Sequence, residues 1–246
     1  MRALVMRFDA PLVSFGSVLV DQHGFIDLFP GTSMLTGLVA NALGWSHGDF
    51  EQLDALQRRL EYAARWDVLP QRMGDYHTVD LGQPKMSRPG WTRRGVAEHR
   101  AGGPSARLGT HERYRHYWVD GLLTVVLTLH GDAEPTLERV VEALRHPARP
   151  LFLGRKACLP ARPLLDPVTP VADGDDLLSI LRGIPVWDRA GLPVKAADRL
   201  LACWPASLGT AGRGELRRVF DLRDWSNQIP AGSRWRVEGI IEGKAP

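Results

Sequence analysis

The feature that most constrains the fold is a long segment without hydrophobic pattern, from about residue 81 to 109, in which Gly, Pro, Arg and His dominate. Strands and helices need apolar residues at a period of two or about 3.6, and this segment offers neither. A connection of that length inside a compact domain is normally functional or disordered. The core must therefore be built from the segments before and after it.

The same region concentrates positive charge, although the whole chain carries a formal net charge of only +3. Between residues 85 and 117 eight Lys and Arg side chains face two Glu, which gives +6, so the rest of the chain sums to −3. This asymmetry indicates a polyanionic partner, because phosphate neutralisation supplies the sequence-independent part of nucleic-acid affinity. The eight cations are Lys85, Arg88, Arg93, Arg94, Arg100, Arg107, Arg113 and Arg115.

Periodic segments flank the basic region on both sides. Leu4, Met6 and Phe8 alternate with Val5 and Arg7, which predicts a first strand. The further predicted elements are a helix from Thr32 or Ser33 to Leu43 with Gly44 at its end, a helix over 50–60 with Asp49 and Gln52 as a capping box, strands at 64–68, 122–129 and 151–153, and a helix over 135–144.

The order of these elements predicts the α+β class. Strand, helix, strand, basic insertion, strand, helix, strand is a split βαβ arrangement with one extra helix, which gives an antiparallel sheet with helices on one face. After about Asp166 the chain becomes rich in Pro, Gly and Asp, and strand patterns return at 216–222 and 234–241. We expect a main domain over 1–165 and a small β-rich C-terminal subdomain over 166–246.

Composition disfavours several functional classes. Cys158 and Cys203 cannot make a disulfide framework, and with eight His they show no metal-ligand spacing, so we expect no metal and no cofactor. No apolar run approaches the roughly 20 residues of a membrane span. Charge also returns too soon after Met1 for a signal peptide. We expect a cytoplasmic protein without a membrane partner.

Cationic and planar side chains interleave along the basic segment, which also contains Trp91, Tyr114 and Tyr117. Arg and aromatic faces can stack on splayed bases while other Arg hold phosphates, which is how single-stranded RNA is usually bound. A solvated loop with no partner explains the same composition, since charged loops are common on proteins.

Two short segments offer phosphate contacts. Gly154 allows a close backbone approach, and Arg155 and Lys156 directly after it can bridge phosphates. Thr32 and Ser33 at a helix start can bind a phosphate through free N–H groups and the helix dipole. A surface turn and an ordinary N-cap are the structural alternatives.

The segment Asp75-Tyr76-His77-Thr78 is the strongest catalytic candidate. His77 and Tyr76 can serve as base and acid in metal-free attack by an RNA 2′-hydroxyl. That chemistry also needs a second titrating group and an oxyanion stabiliser. A structural Tyr-His pair, or one that stacks on RNA, is the alternative.

Three motifs, in this order, resemble the CasD family of the RAMP superfamily, whose members cap the crRNA 5′ end in type I-E CRISPR Cascade. They are FPGTSMLTGL at 29–38 followed by Gly44, DYHTV at 75–79, and LGRKACLP at 153–160. The likeness covers about the first 165 residues. It implies a ferredoxin-like or RRM-like core, with the basic insertion at about 80–118 forming a thumb over the guide.

The resemblance also implies a function. A CasD-like chain holds the crRNA 5′ handle without hydrolysing it, beside the large subunit CasA and the backbone subunit CasC, with target DNA nearby. The handle contacts implied by the motifs are Thr32, Ser33, Tyr76, His77, Gly154, Arg155 and Lys156. The thumb contacts predicted from charge are Lys85, Arg88, Arg93, Arg94, Arg107, Arg113 and Arg115.

Two other functions stay open at this point. Relatives in another CRISPR subtype cleave RNA, so the first is a metal-independent endoribonuclease that processes repeat RNA and is centred on His77. The second is an assembly adaptor whose basic segment serves neighbouring subunits or target DNA. Cleavage assays in EDTA separate the enzyme from the scaffold, and crosslinking separates the adaptor from both.

Overall fold

The computed structural model describes residues 1–20, 22–80, 110–194, 199–211 and 214–243. The strands within these ranges are β1 (Arg2–Asp9), β2 (Leu12–Val13), β3 (Gly16–Val20), β4 (His23–Ile26), β5 (Leu60–Val68), β6 (Gln71–Asp80), β7 (Thr110–Val119), β8 (Leu122–Leu129), β9 (Val171–Asp173), β10 (Leu200–Pro205), β11 (Gly214–Val219), β12 (Arg223–Asp224), β13 (Ile229–Pro230) and β14 (Arg234–Ile241). The helices are α1 (Thr32–Leu43), α2 (Phe50–Arg59), α3 (Leu137–Arg145) and α4 (Leu177–Gly183).

A seven-stranded sheet forms the centre of the fold, in the order β11-β14-β10-β5-β8-β1-β9. β8 pairs antiparallel with β1 along one edge and with β5 along the other. Every residue of β1 after Arg2 is buried. Because successive side chains of a strand point to opposite faces, this burial requires that both faces of the sheet be covered.

The two faces bury separate hydrophobic cores. Leu4, Met6 and Phe8 pack with residues of α1 and α3, whereas Ala3 and Val5 pack with residues of α4. The prediction of helices on one face is therefore wrong for α4, which covers the opposite face. A helix of seven residues is too short to show a clear helical repeat in the sequence.

Four strands after residue 165 join the same sheet, namely β9, β10, β11 and β14, whereas β12 and β13 pair only with each other. β10 pairs with β5 at Ala202–Arg65, and β14 and β11 follow outward in antiparallel register. Trp204 of β10 shares a buried cluster with Ala63 of β5. The main sheet therefore continues across the boundary expected near residue 165. Hydrophobic alternation alone does not reveal which sheet edge a strand joins, so the sequence could not show this continuity.

A second sheet grows out of the first. β5 continues into β6 and β7 continues into β8, so that β6 and β7 form a long antiparallel hairpin from Gln71–Val119 to Asp80–Thr110. β2 pairs antiparallel and β4 pairs parallel with the other edge of β7, and β3 pairs with β4. We call β2, β3, β4, β6 and β7 the hairpin sheet. The basic insertion therefore begins and ends in regular strands.

Three local predictions are wrong. Asp49 does not cap α2 with its side chain, but accepts hydrogen bonds from the backbone N–H and the hydroxyl of Ser46 at 2.6 and 2.9 Å. The segment 151–153 joins none of the described β-ladders, although its last carbonyl accepts a hydrogen bond from Ser14. The N-cap of α1 is Gly31, one residue earlier than expected.

A buried carboxylate ties the central strands to the segment beyond α4. Asp67 accepts hydrogen bonds from Arg7 at 2.7 Å, from Arg65 at 2.8 Å and from the Thr124 hydroxyl at 2.9 Å. It also accepts the backbone N–H of Trp187 at 2.9 Å. Since a buried charge is costly unless it is paired and hydrogen-bonded, the two arginines and the aspartate depend on one another.

We expect Asp67→Asn to lower the free energy of unfolding by about 3–5 kcal/mol, because Arg7 and Arg65 then keep buried charges with a weakened partner. Urea denaturation followed by circular dichroism measures this loss. Glu51→Gln removes an exposed carboxylate from α2 and serves as the control, with an expected change within about 0.5 kcal/mol. Equal losses in the two variants would contradict the role of Asp67.

Candidate nucleic-acid interface

The register of β6 against β7 divides the hairpin sheet into two faces. Residues directly opposite each other share a face, and neighbours along a strand point to opposite faces. Tyr117 lies opposite Met73, and Tyr114 lies opposite Tyr76. The arginine face comprises Asp75, His77, Arg113, Arg115, Tyr117 and the adjoining Arg155. The aromatic face comprises Arg72, Tyr76, Tyr114, His116 and, from β4, His23 and Phe25.

Arg155 fixes its loop to the arginine face. Its guanidinium carbon lies 4.9 Å from the centroid of the Tyr117 ring. One terminal nitrogen donates to the His116 carbonyl at 2.8 Å and the other to the Gly24 carbonyl at 3.1 Å. Arg155 is therefore first a structural residue at the seam between β4 and β7. Lys156 beside it is exposed, so its ammonium group can meet a partner from solvent.

Gly154 makes a contact that only glycine permits. Its φ is +106°, and a Cβ at this position would lie 1.8 Å from the Ser14 carbonyl oxygen. The Ser14 N–H donates to the Leu153 carbonyl at 3.0 Å, so the two backbones touch. The close approach expected for Gly154 is thus made to the chain itself, and this holds Arg155 and Lys156 against the hairpin sheet.

Five rings follow one another across the aromatic face. The centroid distances are 4.9 Å for Tyr76–Tyr114, 4.8 Å for Tyr114–His23, and 5.5 Å for both His23–Phe25 and Phe25–His116. Tyr76 is 51% exposed and Phe25 is 36% exposed. His23 and Phe25 could not be predicted from the sequence, because the i, i+2 spacing of two planar residues is too short a pattern to indicate a strand.

The surroundings within this stack favour the neutral form of the His116 imidazole. Burial lowers its pKa most, and the positive charge of Arg72 lowers it further. Among the described residues, Nε2 of His116 and Nδ1 of His23 are buried without a hydrogen-bond partner. Successive rings from Tyr114 through His23 and Phe25 to His116 are parallel to within 14°, whereas Tyr76 is tilted by 32° against Tyr114.

The predicted acid–base pair is divided between the two faces. On the arginine face, His77 Nε2 lies 2.5 Å from an Asp75 carboxylate oxygen, and both side chains are exposed to solvent. On the aromatic face, the Tyr76 hydroxyl donates to Glu112, which raises the pKa of that phenol. Adjacent strand residues point apart, so the imidazole and the phenol do not converge on one substrate atom.

The start of α1 is closed by the C-terminal part of the chain. The Asp221 carboxylate accepts the Thr32 N–H at 2.8 Å, and its backbone carbonyl accepts the Ser33 N–H at 3.0 Å. Arg234 donates to the same carboxylate at 2.9 Å. A carboxylate thus occupies the place expected for a phosphate, and this geometry does not favour RNA contacts at Thr32 and Ser33.

The remaining predicted contacts fall into two groups. Arg113 and Arg115 are exposed on the arginine face of β7. The other thumb cations lie outside the described residues; they are Lys85, Arg88, Arg93, Arg94 and Arg107.

Potential metal ligands do not cluster in the described ranges. Within them, no group of three or more His, Cys, Asp or Glu is placed to hold a metal ion. No α-helix in the same ranges combines the length and apolar character needed to cross a membrane.

A family model described as CRISPR-associated protein (Cas_Cas5) matches residues 3–237, which span both sheets. The chain belongs to this Cas5 family. The resemblance to CasD is also confirmed, because the chain is 29% identical over 169 residues to the CRISPR system Cascade subunit CasD of Escherichia coli (strain K12). That match covers 65% of this chain and 68% of the relative.

Solved structures share the fold of this Cas5-family chain. A chain of a CRISPR RNA-guided surveillance complex aligns with a TM-score of 0.66 at 23% identity, over 99% of this chain and 91% of that one. A chain described as the crystal structure of a Cas protein aligns with a TM-score of 0.58 at 22% identity, over 99% and 95%. Both alignments extend across residue 165 into the C-terminal strands.

We expect Gly154→Ala to lower the free energy of unfolding by about 2 kcal/mol or more, because the added Cβ collides with the Ser14 carbonyl at a left-handed φ. Gly131→Ala is the control, since Gly131 has a φ of +74° and an added Cβ there would have no neighbour within 4 Å. The control measures the cost of the backbone conformation alone. Equal shifts in thermal unfolding for both variants would contradict the Ser14 contact.

Proposed function

We propose that this Cas5-family chain is a non-catalytic, crRNA-binding subunit of a type I-E Cascade surveillance complex and holds the crRNA 5′ handle. The arginine face carries the proposal, because Arg113, Arg115 and Arg155 lie on one side of β7 with Lys156 beside them. Such a surface neutralises successive phosphates. Family membership and the similarity to CasD support assembly into a guide-RNA complex.

The proposed function assigns a role to each of the two sheets. We infer that β9-β1-β8-β5 with α1 and α3 form a ferredoxin-like, RRM-like RAMP core, since the strands follow the order fourth, first, third, second along the chain. The hairpin of β6 and β7, with the basic residues between them, is then the thumb that folds over the guide. The C-terminal strands widen the core on the β5 side.

The proposed CasD-like role also implies contacts with neighbouring subunits. We propose contacts with the large subunit CasA and the backbone subunit CasC, with target DNA nearby, in the cytoplasm. The C-terminal region offers exposed apolar side chains for protein contacts, since Phe220 after β11, Ile229 of β13 and Trp235 of β14 are 62%, 53% and 53% exposed. Aromatic side chains are enriched in protein–protein interfaces.

Replacing the two loop cations tests the arginine face. We expect Arg155→Gln with Lys156→Gln to weaken binding of a labelled 5′-handle RNA about tenfold or more. The slope of log affinity against log salt should fall by about two, because each phosphate contact contributes about one unit. Fluorescence anisotropy across a salt series measures both quantities.

The single variant Lys156→Gln separates the loss of positive charge from the loss of the structural hydrogen bonds of Arg155. It leaves the hydrogen bonds of Arg155 intact and should lower the salt slope by about one. Arg145→Gln on α3 removes an equal charge away from the hairpin sheet and should leave the slope unchanged. Unchanged affinity and slope in the single and double loop variants would overturn the proposed function.

The His77–Asp75 contact keeps one alternative function testable, because a carboxylate that orients an imidazole is a recurrent part of acid–base sites. We expect no discrete product when the purified chain is incubated with repeat RNA in EDTA, since the Tyr76 hydroxyl lies on the other face. A specific product that disappears in His77→Ala, while Asp54→Asn keeps it, would establish a metal-independent endoribonuclease instead.

A further inference from the structure

The outer edge of the main sheet is formed by a strand with one free side. β11 is the last strand in the sheet order and pairs with β14, and no strand in the described ranges pairs with its other edge. The strand at the opposite end of the sheet, β9, has three residues, whereas β11 has six and contains no proline. Short length and proline protect an edge against further pairing, so β11 is the edge that is open to another extended chain.

The register of β11 against β14 shows which side chains share a face. Leu216 lies opposite Val237, and Val237 belongs to the core that includes residues of α4. Residues directly opposite each other share a face, and neighbours along a strand point to opposite faces. Leu216 and Arg218 therefore lie on the α4 face of the sheet, and Arg217 lies on the other face.

The charges on the two faces of β11 differ in their partners. Arg217 contacts the Glu238 carboxylate at 3.4 Å on its own face. On the α4 face, Nε of Arg218 donates to the Ser233 hydroxyl at 2.9 Å, and Arg218 makes no ion pair with a carboxylate of the described residues. The guanidinium of Arg218 is exposed to solvent. The α4 face of this edge thus presents one cation that a carboxylate from another chain can reach.

Three exposed apolar side chains surround that cation. Trp235 lies directly opposite Arg218, which places their Cβ atoms about 5 Å apart. The guanidinium carbon of Arg218 lies 5.4 Å from the centroid of the Phe220 ring, and Leu216, two residues away on the same face, is 52% exposed. We call these four residues the edge patch. Aromatic residues and Arg are enriched in protein–protein interfaces, and the patch combines both.

We propose that an extended segment of a neighbouring subunit adds a strand to the free edge of β11, with apolar side chains on the edge patch and a carboxylate against Arg218. The open edge favours an extended segment over a helix, because only a strand in register bonds a row of backbone groups. The cation without an ion pair favours an acidic residue in that segment. The inference rests on the proposed function, since assembly into a complex supplies the partner.

Amide hydrogen exchange of β11 tests the proposal without any substitution. The full chain is compared alone and in its type I-E complex, which is co-expressed with the guide RNA and purified through a tag on another subunit. Peptides that cover residues 214–219 should exchange about tenfold more slowly in the complex, because edge amides gain acceptors. Unchanged exchange there in the assembled complex overturns the proposal. Slow exchange in the chain alone that increases with protein concentration identifies a second copy as the occupant and also overturns it.

Variants of the edge patch give a second measurement. Arg218→Glu and Trp235→Ser replace exposed side chains and should each lower the recovery of the chain in the complex about tenfold. Arg145→Glu on α3 and Val168→Ser, whose parent residue is 83% exposed, are the matched controls and should stay within about twofold. Recovery of the patch variants equal to that of the controls contradicts the edge patch.

The outcomes separate this contact from the proposed function. A complex that forms while the exchange of β11 is unchanged overturns the edge contact alone. Handle-RNA binding by the chain is measured independently, through the salt series of Lys156→Gln. Failure of the chain to enter any such complex overturns the proposed assembly and the edge contact together.

Discussion

The hydrogen bonds to the buried carboxylate of Asp67 are the interactions on which the rest of the structure depends. The carboxylate accepts donors from β1, β5, β8 and the backbone beyond α4. Arg65 extends the network, because it donates to the carbonyls of Leu181 and Ile184 at the end of α4. A helix of seven residues is unstable by itself, so these bonds and its apolar face fix it to the sheet. The hairpin of β6 and β7 thus leaves from strands that are held on both faces.

The register of β6 against β7 decides which side chains each face of the hairpin sheet presents. A slip of one residue between β6 and β7 would move the side chains of one strand to the opposite face and so mix the arginine face with the aromatic face, because side chains alternate along each strand. The other edge of β7 opposes such a slip, since β4 pairs with it at His23–Tyr114 and β2 pairs with it at Val13–Trp118. Backbone hydrogen bonds between the strands therefore keep the arginine face and the aromatic face on opposite sides of the sheet.

Hydrophobic period was sufficient to predict β1, α1, β8 and α3, because each has a long and regular apolar pattern. It could not predict α4, which is short, or the attachment of β10 to β5, which depends on pairing between distant segments. The candidate site was predicted in part. Charge and glycine placement identified Arg155 and Gly154, but not the hydrogen bond of Arg155 to His116 or the close approach of Gly154 to Ser14. The row of rings that includes Phe25 forms only when β4 pairs with β7.

The bond between Asp221 and Thr32 has a consequence for biosynthesis, because it joins positions 189 residues apart. While the ribosome is still adding the C-terminal strands, the first helix has no acceptor for its leading amides, and the edge of β5 has no partner strand. Unpaired strand edges invite association between chains. The native contacts at the start of α1 and at the free edge of β5 can therefore form only after those late strands have emerged from the exit tunnel.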